Sequence, residues 1–420
     1  MRVLYGFLLG LGSAVPGLGQ SFTPSNIVFE GAPEYRQEQL LAATGLTPGK
    51  PVTQAQLDEA TQRLGDQGIF SDVNYQTSGL TLTFSLKPVD AAQMQAVEFA
   101  NFPMFQPAEL LAGVEKGVPL FNGKVPSASP MQQRVERALE SMLKDRGITA
   151  RVDSIRTQTG KLDYSIANPP VKVSALDVVG ADWSHMPALK EVRDRVVGSD
   201  YTEEFSGDGL RRNLLDAYRD MGYMDAAVMD VAHGSAQVEA DRIAVPIVAK
   251  ADPGPVYTVT RVELSSAVAG IRTEEIAAAN LLKVGAPASR VLVLGTSARL
   301  KSVYVGHGYL DATTSVDPAK DTTAHTLAYS FHAAPGEIYR MRALGVRGLT
   351  EVQARSAKTA WKLDTGAIFE HGLLLAFQQN GAAAKLCEGK PVEVSVAPEH
   401  AAHVVDVLLS CPGSFSTGNE

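Results

Sequence analysis

The residues best suited to chemistry in this chain are two aspartates in near-identical surroundings. Asp225 lies in DMGYMDAAV (220–228) and Asp311 in GHGYLDATT (306–314). An aspartate can act as general base, nucleophile or metal ligand, but each role needs partner residues at a set spacing. Those partners are missing. Gly-x-Ser-x-Gly and His-Glu-x-x-His do not occur, and in GLTPGKP (45–51) Pro51 stands where a phosphate-binding loop needs Ser or Thr. His400 and His403 in PEHAAH supply two imidazoles, short of the three or four ligands of a metal site. The pairs Glu203-Glu204 and Glu274-Glu275 read as solvated residues at helix starts, where a carboxylate suits the helix dipole. The expectation is therefore no catalytic residue, no metal, no cofactor and no enzyme. A catalytic motif is normally single, whereas a motif written twice points to a repeated domain.

The elements around the motif bear out a repeat. Glycines in the same setting stand at Gly68, Gly147, Gly222, Gly308 and Gly381, at intervals of roughly 75–85 residues. Each follows an apolar run at helical spacing: Leu57, Ala60 and Leu64; Val135, Leu139 and Leu143; Leu210, Leu214 and Tyr218; Leu300, Val303 and Tyr304; Leu373, Leu374 and Phe377. A glycine just past such a run caps the helix, because without a Cβ it enters the left-handed region cheaply. Downstream comes a strand pair. Leu80, Leu82, Phe84 and Leu86 alternate with polar residues after a Ser78-Gly79 turn; Leu162, Tyr164 and Ile166, Ile243, Val245 and Ile247, and Leu327, Tyr329 and Phe331 do the same in later repeats. Upstream stand the short strands NIVFEG, MQAVEFAN, VSALDVVG, YTVTRVEL and YRMRALGVRG, each before a first helix and a link that carries Gly49, Gly198 or Gly285 in three repeats. The unit reads strand, helix, helix, strand, strand, five times over. In the second repeat an insert, PLFNGKVPSASP (119–130), separates the helices.

A β-α-α-β-β unit of this size in tandem, with Gly-Tyr-x-Asp-Ala after its second helix, resembles the POTRA (polypeptide-transport-associated) domain. The fold class expected is α+β, an array of five POTRA-like domains at 24–90, 94–169, 171–252, 256–335 and 338–412. The fit is fullest in repeats one, three and four; repeat five puts Ala-Ala-Ala where Tyr-x-Asp-Ala belongs. Gly222 and Gly308 are read as caps, Tyr223 and Tyr309 as rings packed between helix and sheet, and Asp225 and Asp311 as turn residues bonding nearby amides.

Composition fits such an array. The 420 residues are 45% hydrophobic and 20% charged, and with a net charge of −8 and no long Lys/Arg run nothing suggests a nucleic-acid surface. MRVLYGFLLGLGSAVPGLGQ reads as a signal peptide over residues 1–19, with an uncleaved membrane anchor as the alternative. The nine residues after Cys411 leave no room for a transmembrane barrel.

The resemblance implies a periplasmic protein, peripheral to the outer membrane, that binds polypeptides in outer-membrane protein assembly or transport. Its partners would be unfolded outer-membrane or secreted polypeptides, and a separate outer-membrane barrel or accessory lipoproteins. In that family the middle strand of the sequence lies at a sheet edge, where an extended client can pair. The candidate edges are 73–77, 151–157, 226–232 and 313–316. The third is favoured, with Ala226, Val228, Asp230 and Val231 as client-binding residues and Val228 and Val231 as its apolar grip. The other reading is a scaffold or docking arm that binds no clients, anchored in the membrane at its N-terminus. Finally, the two cysteines, Cys387 and Cys411, stand equally far from Glu399. A hairpin turning at Pro398-Glu399-His400 would bring them together across its open end as a disulfide.

Overall fold

The computed structural model describes residues 21–127, 129–265, 268, 270–379, 387 and 392–411. Gly381 and the segment read as a signal peptide lie outside the described residues. Contacts divide the chain into two compact units, one made of the chain up to Val178 with Arg193–Leu210 and Val231–Ala249, the other of Val179–Val192, Arg211–Asp230 and the chain from Lys250 on.

The β-α-α-β-β plan recurs five times. The first repeat is β1 (Asn26–Glu30), α1 (Gln37–Thr44), α2 (Gln54–Gly65), β2 (Phe70–Ser78) and β3 (Thr81–Pro88). The second is β4 (Met94–Phe99), α3 (Pro107–Gly117), β5 (Lys124–Pro126), α4 (Pro130–Asp145), β6 (Arg151–Arg156) and β7 (Leu162–Asn168). The third is β8 (Val171–Val179), α5 (Pro187–Val196), α6 (Leu210–Asp220), β9 (Ala227–His233), β10 (Gln237–Val238) and β11 (Ile243–Asp252). The fourth is β12 (Thr258–Ser265), α7 (Thr273–Ala278), α8 (Arg290–Gly306), β13 (Thr313–Asp321) and β14 (Thr326–Ala334), and the fifth β15 (Arg340–Arg347), α9 (Glu351–Ala360), α10 (His371–Gln379), β16 (Glu393–Glu399) and β17 (Val404–Ser410).

In the first, second, fourth and fifth repeats the first strand lies parallel to the last, as a helical crossover allows, and the hairpin turns the middle strand antiparallel onto the other side. The orders are β1-β3-β2, β5-β4-β7-β6, β12-β14-β13 and β15-β17-β16; in the third repeat the order is β10-β11-β8, and β9 also pairs β11. Helices cover one face of each sheet. The apolar helix positions pack there: Leu57, Ala60 and Leu64 are at most 4% exposed, and Val135, Leu139 and Leu143 are fully buried. In β1 and β3 the register sets Phe29 against Phe84, whose rings stack 5.3 Å apart.

Three strand and turn positions depart from the sequence reading. Leu80 is 62% exposed and belongs to the turn, so the buried alternation of β3 starts at Leu82. The insert of the second repeat supplies β5, which adds a strand beside β4 through Gln95↔Val125. The last hairpin turns later than expected: Pro398 and Glu399 are still in β16, paired with Val405 and Val404. Cys387 and Cys411 nevertheless form a disulfide, with Cα atoms 5.5 Å apart. By that register Cys387 lies beyond the ladder, so the cross-strand symmetry about Glu399 does not account for the pairing.

Candidate functional site

The repeated motif builds joints between consecutive repeats. Gly222 ends α6 with φ +95° and Gly308 ends α8 with φ +91°. Beyond capping, each accepts the first backbone bond of the next repeat: Tyr257 N–H donates to Gly222 O and Tyr339 N–H to Gly308 O, both at 2.9 Å. The approach is close. A Cβ on Gly308 would stand 2.5 Å from Ile368 Cγ2, and one on Gly222 3.0 Å from Pro287 Cβ. Asp225 and Asp311 do not bond turn amides. They accept the hydroxyls of Tyr257 and Tyr339, each at 2.5 Å. Lys320 completes the first joint by pairing with Asp225 and lying 4.6 Å from the Tyr257 ring centroid. His400 completes the second, with Nδ1 2.9 Å from Asp311 and 2.8 Å from the Tyr339 hydroxyl.

These contacts set the charges. Lys320 and the Tyr257 hydroxyl hold the Asp225 carboxyl below its ordinary value. The Tyr339 hydroxyl, with His400 beside it, does the same for Asp311. Burial and the Asp311 charge push Tyr339 up to about 12.

Tyr223 and Tyr309 are half-buried and meet helix tyrosines edge-on, Tyr218 at 5.9 Å and Tyr304 at 6.2 Å, so each ring packs on its helix without being enclosed between helix and sheet. Gly68 and Gly147 also take positive φ. Tyr257 and Tyr339 were missed from sequence, although PGPVYTV and PGEIYRM share a Pro-Gly-x-x-Tyr pattern that follows each motif, 32 residues after Asp225 and 28 after Asp311.

The four candidate edges are strands β2, β6, β9 and β13, and they differ in what lies between strand and helix. On β2, Tyr75 bonds Gln54 and Asp58 of α2 and fills the gap. On β6, Ser154 bonds Glu136 at 2.7 Å and the Val152 amide bonds Glu140 at 3.1 Å, both from α4. On β9, Ala226 and Val228 are each 7% exposed and face the core, Arg211 caps the Val228 carbonyl, Asp230 is exposed and Val231 half-buried. Val228 therefore offers no grip to a client, which corrects the sequence reading.

On β13 the gap is open and apolar. Val316 and Pro318 from the strand, Val293 and Leu294 from α8, and Leu327 and Tyr329 from β14 line a groove of about 300 Å³. Arg219, Arg290 and Lys320 edge it. Its floor is core, with Leu327 at 3% and Tyr329 at 5% exposed, while Leu294 stands 54% exposed at its lip. Proline is tolerated in an edge strand, and β13 is one. The sequence signal was the run Val291-Leu292-Val293-Leu294 at the start of α8: four consecutive apolar residues cannot all face one core at 3.6 residues per turn.

Among the described residues no group of three metal-ligating side chains occurs, and no helix is long and apolar enough to cross a membrane.

Residues 23–89 match the family model of POTRA, described as surface antigen variable number repeat. No curated protein matches the chain. Among solved structures, POTRA domains 3–5 of BamA from Haemophilus influenzae are 18% identical over 57% of this chain and 96% of that one, with a TM-score of 0.41. The N-terminal domain of Omp85 from the cyanobacterium Thermosynechococcus elongatus is 16% identical over 75% and 98%, with a TM-score of 0.18. CdiB from Escherichia coli is 16% identical over 38% of this chain and 27% of that one, with a TM-score of 0.22. At such scores the superpositions bear no weight; the match at 23–89 and the strand order repeated within this chain do. Residues 23–89 thus match the POTRA domain, and the described residues repeat its β-α-α-β-β plan five times in tandem.

Proposed function

We propose that the array binds extended polypeptides in outer-membrane protein assembly or transport, from the periplasm, and that its principal site is the edge of β13 with the groove beside α8. The domains would run 24–90, 94–169, 171–252, 256–335 and 338–412. The observation that carries the site is the groove itself. An incoming strand pairs its backbone with the free edge of β13, and alternate side chains drop into the apolar gap lined by Val293, Leu294 and Val316. Main-chain bonds make the affinity tolerant of sequence, and the groove sets a preference for apolar residues at every second position. β9 is a second edge that offers backbone without a groove. The partners follow from this chemistry: unfolded outer-membrane or secreted polypeptides, with a separate barrel protein or lipoproteins as docking factors. A second reading, a docking arm that binds no clients, is favoured by the close-packed joints at Gly222 and Gly308, which suit a stiff spacer.

The test is titration of the full chain with a fluorescent ten-residue peptide of alternating apolar and polar residues. Binding in the micromolar range or weaker is expected, and Leu294→Asp, on an exposed lip, should weaken it about tenfold, the loss of roughly 1.4 kcal/mol of apolar contact. Binding that ignores Leu294→Asp would remove the groove from the mechanism. No binding at millimolar peptide would leave the docking arm.

A further inference from the structure

A cavity of about 700 Å³ opens in the first compact unit, where the end of β4 and the start of β7 face the start of α3 and the helical turn that leads into α6. One wall is apolar and fixed. Phe102, Phe105 and Leu110 are 2%, 7% and 4% exposed, and Phe99 meets Phe102 edge-on at 6.0 Å. The facing wall is acidic, with Glu98, Asp163, Glu203 and Glu204. The sheet register puts Glu98 directly opposite Asp163 on adjacent strands, and like charges so placed cost stability. Two of the four acids are answered. Lys161 pairs with Glu98, and Glu203 accepts the Tyr201 hydroxyl at 2.8 Å. Asp163 is not: its Oδ1 is buried without a hydrogen-bond partner. Burial, Glu98 and Glu204 all raise its carboxyl above the ordinary value. His233, edge-on to Tyr201 at 5.9 Å, is the remaining titratable group on the wall.

An amide would match the shape of Asp163 without the charge, and no hydrogen bond to Oδ1 rewards the carboxylate. Aromatic faces and carboxylates attract the same kind of ligand, a cation on an apolar stem. Phe105 already carries such a cation on its ring, the Arg146 guanidinium at 3.9 Å from the centroid. The volume falls in the range of small-ligand sites.

We propose that this cavity binds an alkylammonium or guanidinium group, with its charge against Asp163 and Glu204 and its apolar stem along Phe99 and Phe102. The same chemistry is carried by the lysine and arginine side chains of a bound polypeptide and by free polyamines. The site is independent of the β13 groove.

Calorimetric titration of the full chain tests it with two probes: spermidine, and a blocked pentapeptide with one central lysine between leucines. A blocked peptide with glutamate at the centre is the control. Binding of either cation, weakened by salt and absent for the glutamate peptide, is expected. Tighter binding of the peptide assigns the site to polypeptide side chains, and tighter binding of spermidine to polyamines. Asp163→Asn should cut affinity at least tenfold while the melting temperature stays level or rises, because the unanswered charge is gone. A lowered melting temperature with undiminished binding would make Asp163 structural and overturn the proposal, as would no binding of either cation at millimolar concentration. Glu204→Gln, on the exposed rim, guards against a folding artefact and must weaken binding too. Leu294→Asp must leave cation binding unchanged.

Discussion

Replacing Gly308 by alanine separates two demands made on one residue. Gly308 and Gly147 both end a second helix at positive φ, +91° and +77°. The cost of an L-residue in the left-handed region, about 1–2 kcal/mol, applies to both. Only Gly308 faces a following repeat at contact distance. Its Cβ would stand 2.5 Å from Ile368 Cγ2, 3.4 Å from Phe369 O and 3.5 Å from Tyr339 O, whereas a Cβ on Gly147 meets nothing within 4 Å. Ile368 and the backbone behind it must move, an overpacking that costs typically 1–3 kcal/mol more. Gly147→Ala should therefore cost about 1–2 kcal/mol and Gly308→Ala about 2–5 kcal/mol. A melting temperature reports that the array is weakened but not where it opens, so the joint needs a local measure. Native-state amide exchange reads local opening instead. In Gly308→Ala, protection should fall at the Tyr339 amide, which bonds Gly308 O, and along β15; in Gly147→Ala the loss should stay at the end of α4 and the start of β6. Equal losses in the two variants would refute the claim that Gly308 seats the next repeat.

The joints should also respond to acid. Asp225 and Asp311 have depressed carboxyls in the folded chain, so their contribution is complete above the unfolded carboxylate value and is lost as pH falls through the lower folded one. Proteolysis within 253–256 and 335–338 should accelerate below roughly pH 4. Asp225→Asn and Asp311→Asn should flatten that profile, and an unaltered profile would dissociate the acid response from the joints. Reducing the Cys387–Cys411 bond, which spans 24 positions, should destabilise the fifth repeat by about 3 kcal/mol on the chain-entropy estimate, read as loss of exchange protection in β16 and β17. Tyr304→Ala removes a fully buried ring and should cost about 3–5 kcal/mol, whereas half-buried Tyr309→Ala should cost about half as much; equal costs would mean that Tyr309 is enclosed after all.

Much of the architecture was legible in the sequence because it depends on local rules. Period-3.6 apolar runs such as Val135, Leu139 and Leu143, period-2 runs such as Leu82, Phe84 and Leu86, and a glycine past each second helix specify helices, strands and turns within a few neighbours of themselves. Repetition then multiplied a modest signal fivefold. What depends on distant partners was not legible. Asp225 and Asp311 look like turn residues until the fold brings Tyr257 and Tyr339 against them. Val228 looks like an exposed apolar strand residue until the pleat turns it to the core, since alternation states that two faces exist and not which one is buried. The hairpin register at Cys411 slipped because turn position sets register, and PEHAAH carries no turn dipeptide to mark it. The open groove beside β13 exists because α8 presents valine and leucine to the strand where α2 and α4 present Asp58, Glu136 and Glu140. That contrast spans helix and strand, so only the packed structure decided beside which edge strand an apolar gap stayed open.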